Sequence, residues 1–143
     1  MYERERKIDG IRTAPLVSVI MPAYNAEKYI EEAVSSVLSQ TYKNWELLIL
    51  DDCSSDCTAE IAEYFASLDT RIRLLRNPQN MGVAKTRNRG FDIAKGEWIA
   101  LLDSDDVWHS DKLEKQLAVI ERNPEAEFLF TGSAFIEDDG MTI

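Results

Sequence analysis

The strongest constraint on this chain is a repeated pairing: a short apolar run, then a stretch with helical spacing. The first run, Leu16 to Met21 (LVSVIM), is apolar or β-branched at nearly every position. That is the pattern of a strand buried on both faces, and Pro22 is expected to end it. Trp45 to Leu50 (WELLIL), Ile72 to Leu75 and Glu97 to Leu102 (EWIALL) repeat the pattern. A helix is expected over about Glu27 to Gln40, with Ile30, Ala33, Val34, Val37 and Leu38 on one side. Ser54, Ser55 and Asp56 are N-cap candidates for a second helix, whose inner face would hold Ile61, Tyr64 or Phe65, and Leu68. Helices are also expected over Val83 to Ala94, stopped by Lys95-Gly96, and over Asp111 to Arg122 with Leu113, Leu117 and Ile120 inward. Phe128 to Thr131 reads as the start of another strand. Strands alternating with helices imply βαβ units, a mostly parallel sheet and a three-layer α/β/α sandwich.

In such sheets ligands sit beyond the carboxyl ends of the strands. The polar signals of this chain fall there. Tyr24 and Asn25 follow the first strand, Asp51 and Asp52 the second, and Asp103-Ser104-Asp105-Asp106 the fourth. Three carboxylates within four positions repel one another. They suit a hard divalent cation such as Mg2+ or Mn2+, with positions left for phosphate oxygens. The competing reading is helix capping by Asp106 or Asp111. Asp52 suits a hydrogen bond from a base or ribose, or else a cap on the next helix. The Tyr24 ring suits stacking on a flat base, or ordinary packing. Arg87 and Arg89 suit phosphate or the acidic cluster, or a solvated helix face. His109 reads as a surface or packing residue before a metal ligand. Neither a G-x-G-x-x-G nor a P-loop is present.

A length of 143 residues suits one domain. Residues 1–14 read as a polar arm and residues 15–143 as the domain. The net charge of -10, from 26 acidic and 16 basic residues, argues against a nucleic-acid partner. It does not argue against a phosphate ligand, because a cation neutralises carboxylates and phosphates together. Cys53 and Cys57 are too few for a disulfide scaffold and, with one His, a poor zinc set. They read as small side chains at a helix start, in a reduced, cytosolic setting. No apolar run approaches the roughly 20 residues that span a bilayer, and no signal-peptide pattern is present. Arg4, Arg6 and Lys7 alternate with acids, giving weak support for peripheral contact with the inner face of a membrane.

Read in order, these residues resemble glycosyltransferase family 2, of the GT-A type. The matching segments are Val17 to Asn25, Ser36 to Tyr42 and Leu50 to Thr58. Asn80-Met81-Gly82 with Arg87 to Gly90 follows, and then Leu101 to Asp106. Each motif is short, but five in this order and spacing are specific. The resemblance implies a metal-dependent, inverting transferase of cell-surface polysaccharide synthesis. Its donor would be a nucleotide-diphospho-sugar, UDP-linked by expectation, and its acceptor a glycan or a lipid-linked hydroxyl. It also implies roles. Pro22, Ala23 and Tyr24 would cradle the nucleotide and Asp52 would read the base. Arg87 would meet phosphate. Asp105 would touch the metal, with Asp103 and Ser104 nearer the ribose, and Asp103 and Asp106 sharing in the metal contact. Cys53 departs from the glycine of many relatives, and tolerance is expected there. The general base of such enzymes lies in a second half, so it is expected beyond Ile143, and Glu137, Asp138 and Asp139 are not assigned to it. Two further readings stay open: a donor-binding piece without transfer activity, and a sugar-phosphate nucleotidyltransferase.

Overall fold

A computed structural model describes residues 14–136. All of the polar arm except Ala14, and Glu137, Asp138 and Asp139 near the other end, lie outside the described residues. Four strands and four helices alternate along the chain: β1 (Val17–Ala23), α1 (Ile30–Leu38), β2 (Trp45–Asp51), α2 (Thr58–Leu68), β3 (Ile72–Arg76), α3 (Val83–Ile93), β4 (Trp98–Leu101) and α4 (Lys112–Arg122). The strands form one parallel sheet in the order β3-β2-β1-β4. β1 and β2 lie at its centre and are buried at every residue, which is why they carry near-continuous apolar runs.

The alternating residues of β1 and β2 feed two cores. Val17, Val19, Met21, Trp45, Leu47 and Ile49 face one side, with Ile30, Ala33, Val34 and Val37 of α1, Ala62 of α2 and Leu113 of α4. Ile20, Leu48 and Leu50 face the other side, with Ile93 and Ala94 at the end of α3. Each buried Val, Leu, Ile or Met side chain among them contributes about 1.5–3 kcal/mol by leaving water. Helices therefore cover both faces, as expected of three layers. α3 approaches closely because Gly90 faces the sheet. A Cβ there would lie 2.6 Å from Ile20 Cγ2 and 3.2 Å from Leu50 Cδ1.

Several details differ from the sequence reading. Pro22 does not end β1, which runs on to Ala23. The carbonyl of Ile20 accepts the N–H of Leu102, while that of Ala23 accepts the N–H of Asp52. Backbone groups alternate sides along a strand, so Pro22 faces the β4 side. β4 pairs with β1 only as far as Ile20 opposite Leu101, so no rung of the ladder requires the N–H that proline lacks. Helix α1 starts at Ile30 rather than Glu27, because Tyr29 and Ile30 first close a turn on the carbonyl of Ala26. In α2 the small Ala59 and Ala62 take the buried face. Phe65 and Ile61 pack beside them, whereas Tyr64 and Leu68 are exposed. Cys57 occupies the cap position of α2, while Asp56 serves its first turn by accepting the Thr58 N–H at 3.0 Å. The strand expected at Phe128 to Thr131 does not form. Among the described residues it has no strand to pair with, and Phe128 and Phe130 are 80% and 90% exposed. No helix among the described residues is long and apolar enough to cross a membrane.

Candidate functional site

The order β3-β2-β1-β4 places β2 on one side of β1 and β4 on the other. The connection direction thus reverses at β1, and a crevice is expected beyond the carboxyl ends of β1 and β4. A cleft of about 430 Å³ lies there. It gathers Pro22, Ala23 and Tyr24 from the end of β1, Asp52 from β2, Arg87 from α3, and Asp103, Ser104 and Asp105 from beyond β4. Asn80, Gly82, Val83 and Thr86 complete its wall. Asp106 does not line the cleft. Its carboxyl is pushed up by burial and then by the neighbouring charges of Asp105 and Asp103.

The two acids after β2 divide the work. Asp51 is fully buried and faces away from the cleft, holding Arg76 Nε at 3.2 Å and the Ser54 N–H. Asp52 is 4% exposed. Its Oδ1 accepts the Asn77 amide at 2.7 Å and the Met81 N–H at 2.8 Å, and its Oδ2 accepts the Gly82 N–H at 2.8 Å. Burial alone would raise its pKa. The bonds from Asn77, Met81, Gly82 and Thr86 outweigh that and hold the carboxyl below its ordinary range. Asp52 thus fixes the loop that forms one wall. Gly82 sits there at φ 83°, which only glycine adopts at little cost. Asp52 is not the cap of α2, since Cys57 holds the cap position and Asp56 accepts the first-turn Thr58 N–H.

Above β1, Asn25 stands at φ 48° and ties two loops together. Its N–H donates to Ser54 Oγ at 3.0 Å and its Oδ1 accepts the Ser55 N–H at 2.9 Å. Cys53 in the same loop stands at φ 65°. Tyr24 is 53% exposed on the cleft wall, with its ring open for stacking.

The arginines separate. Arg87 pairs through its guanidinium with Asp103 across the cleft floor. Its Nε is buried with no hydrogen-bond partner among the described residues. Arg89 instead turns away, donating to the Arg76 carbonyl at 2.9 Å and to Asn77 Oδ1 at 2.5 Å. It meets neither the acidic cluster nor the cleft. His109 is also outside the cleft, with Nδ1 at 2.7 Å from Asp111 Oδ1. Asp111 takes the cap position of α4, yet its carboxylate goes to His109 and Lys115 rather than to a cap bond. Asp106 lies well before that helix, so the capping reading fails for it too.

Among the described residues no three acidic, His or Cys side chains converge into a closed metal site. The donors present still fit a divalent cation of one kind. Asp103 and Asp105 bring hard carboxylate oxygens to the cleft. Mg2+-type ions are held by one or two carboxylates, with phosphate and water completing the shell. Asn77 and Thr86 were missed by the sequence reading. Their only signal was position, in the loop and first helical turn that follow β3.

Fold and cleft together define a parallel α/β protein of the GT-A type, with a cleft at the strand-order switch. The sequence model of Glycosyl transferase family 2 matches residues 18–140, and the chain belongs to that family. It is 51% identical over 108 residues to the Escherichia coli UDP-Glc:alpha-D-GlcNAc-diphosphoundecaprenol beta-1,3-glucosyltransferase WfgD, covering 76% of this chain and 42% of that protein. Among solved structures it superposes on Staphylococcus aureus TarS 1-349 in complex with UDP-GlcNAc. The TM-score is 0.70 at 34% identity, over 74% of this chain and 31% of that one. The mannosyltransferase PcManGT of Pyrobaculum calidifontis, in complex with GDP-Man and Mn2+, gives a TM-score of 0.70 at 26% identity, over 76% and 33%. The chain spans about half the length, or less, of such curated relatives.

Proposed function

We propose that the cleft holds the nucleotide-diphospho-sugar donor, UDP-linked, of an inverting glycosyltransferase that builds cell-surface polysaccharide on a glycan or lipid-linked acceptor. One observation carries this reading: the switch-point cleft gathers an aromatic ring, a buried acid, an arginine and two carboxylates from separate parts of the chain. Tyr24 stacks on the base, and Asp52 stands where a base edge meets its remaining acceptor capacity. Arg87 receives diphosphate. Asp105, with Asp103, would hold Mn2+ or Mg2+, and Asp106 would supply charge from the rim. Such a cation, when bound, neutralises charge on the leaving diphosphate. Asp103 and Ser104 stand nearer the ribose. The names of the E. coli relative and of the TarS complex support the uridine donor. The Mn2+ in the PcManGT complex supports the metal.

Because the chain spans about half of its curated relatives or less, a second reading is a donor-binding unit that transfers only with further structure. Calorimetry with UDP and Mn2+ tests the site, and product formation from UDP-sugar separates enzyme from binding unit. Asp105→Ala is expected to weaken Mn2+-dependent UDP binding at least about tenfold, as for loss of one charge-assisted contact. Binding that is independent of Mn2+, or unchanged in Asp105→Ala, removes the site assignment.

A further inference from the structure

The buried amide of Asn77 does not line the cleft, yet both hydrogen bonds that it donates go to residues that do, Asp52 and Thr86. Its Nδ2 donates to Asp52 Oδ1 at 2.7 Å and to Thr86 Oγ1 at 2.9 Å. Its Oδ1 accepts from Arg89 at 2.5 Å. One side chain therefore joins the end of β2 to the first turns of α3. Asp52 in turn carries the N–H groups of Met81 and Gly82, in the loop whose Asn80 and Gly82 line the cleft. Two donated hydrogens and a used carbonyl leave little freedom to a residue that is itself buried. A buried polar network satisfied to this degree fixes one arrangement, because every alternative strands a donor or acceptor.

We propose that Asn77 is a positioning residue for the nucleotide end of the cleft, holding Asp52 and, through it, the Asn80-Met81-Gly82 wall in the geometry that receives the base. This rests on the reading of the cleft as a nucleotide site. The charged groups around Asn77 are Asp52, Arg89 from α3, and the Asp51–Arg76 pair at the ends of β2 and β3.

The test is Asn77→Asp, which keeps the size and replaces the donor with a second carboxylate against Asp52. Two ionised carboxylates repel, and a shared proton restores a bond between them. UDP affinity in the presence of Mn2+ is measured by calorimetry from about pH 7.5 to about pH 5 and expressed as the ratio of parent to variant. The ratio is expected to exceed about tenfold at the upper end and to shrink towards unity at the lower end. Ser18→Ala controls for general destabilisation. It removes a buried bond to Glu46, 2.6 Å long, and lies outside the cleft. It is expected to leave UDP affinity unchanged. Amide hydrogen exchange without ligand provides the second readout. Met81 and Gly82 should exchange at least about tenfold faster in Asn77→Asp near pH 7.5, with β1 and β2 unaffected. If Asn77→Asp does not fold, Thr86→Val removes one acceptor of the same amide and, bringing no new carboxylate, is read by exchange alone: Met81 and Gly82 should exchange faster, by a smaller factor than in Asn77→Asp. Unchanged exchange at Met81 and Gly82 in the variant that folds, or a pH-independent affinity ratio for Asn77→Asp, overturns the proposal. Faster exchange in a protein whose parent form binds no UDP supports the role of Asn77 on the loop and overturns the nucleotide reading instead.

Discussion

Replacing Asp52 with Asn keeps the shape of the side chain and exchanges one acceptor oxygen for a donor. Whichever way the amide turns, its N–H2 faces a donor: Asn77 Nδ2 and the Met81 N–H on one side, or the Gly82 N–H on the other. At least one hydrogen bond to an ionised group is lost, worth about 1.5–3 kcal/mol, and the stranded buried donor adds about 1–3 kcal/mol. Relaxation of the loop recovers part of this. We expect Asp52→Asn to cost about 2–4 kcal/mol near neutral pH, a large share of the 5–15 kcal/mol typical of a domain. The sign of the pH dependence follows from the depressed carboxyl. The unfolded chain takes up this proton more readily than the folded one. The stabilisation from Asp52 is therefore full above the ordinary value of about 3.9 and is lost as pH falls through the lower, folded value. A protonated Asp52 resembles Asn, so the two proteins should converge in acid. Urea unfolding followed by circular dichroism, at steps from about pH 7 down to the acid limit of the folded state, measures the gap. A gap below about 0.5 kcal/mol at neutrality, or one that stays constant into acid, refutes the assignment of Asp52 as the clamp of the loop.

Three other perturbations follow from the same geometry. Gly90→Ala places a Cβ 2.6 Å from Ile20 Cγ2, and the overpacking should cost about 1–3 kcal/mol in chemical denaturation; full stability would show that α3 sits less tightly than described. Cys53→Gly relieves a side chain held at φ 65°. After the entropy cost of glycine the gain should be about 0.5 kcal/mol, read as a higher urea midpoint, and a loss would show that Cys53 makes compensating contacts. Arg87→Met removes the partner of Asp103 from the cleft, and UDP affinity by calorimetry should fall about tenfold; unchanged affinity would exclude Arg87 from diphosphate contact.

The fold was legible because β1 and β2 are buried on both faces, and such strands leave unbroken apolar runs in the sequence. Asp52, Asp103 and Asp105 were legible for a related reason, since a charged residue directly after such a run marks the strand's exit. The failures share a different cause. Tyr64 and Leu68 were placed inward by size, but the inner face of α2 is set by the close approach of Ala59 and Ala62. Phe128 and Phe130 have strand propensity but, among the described residues, no strand to pair with, and pairing is not a local property. Arg87 and Arg89 lie two positions apart on α3, and only the direction of each side chain separates a structural tie from a cleft residue. Asn77 was invisible for the same reason. Its partners are Asp52, 25 positions earlier in the sequence, and Thr86, nine positions later.

Pro22 affects the cleft through what it lacks. The row of bonds between β1 and β4 ends where Ile20 accepts from Leu102, and the next donor on that side of β1 would have been the N–H of residue 22. With no hydrogen to offer, β1 stays paired to β2 and releases β4. Asp103 is the first residue past that release. The mouth of the site is thus opened by a subtraction from the backbone. The side chains around the cleft need not pry the strands apart. Position 22 is thus constrained by main-chain valence as well as by its place on the cleft wall.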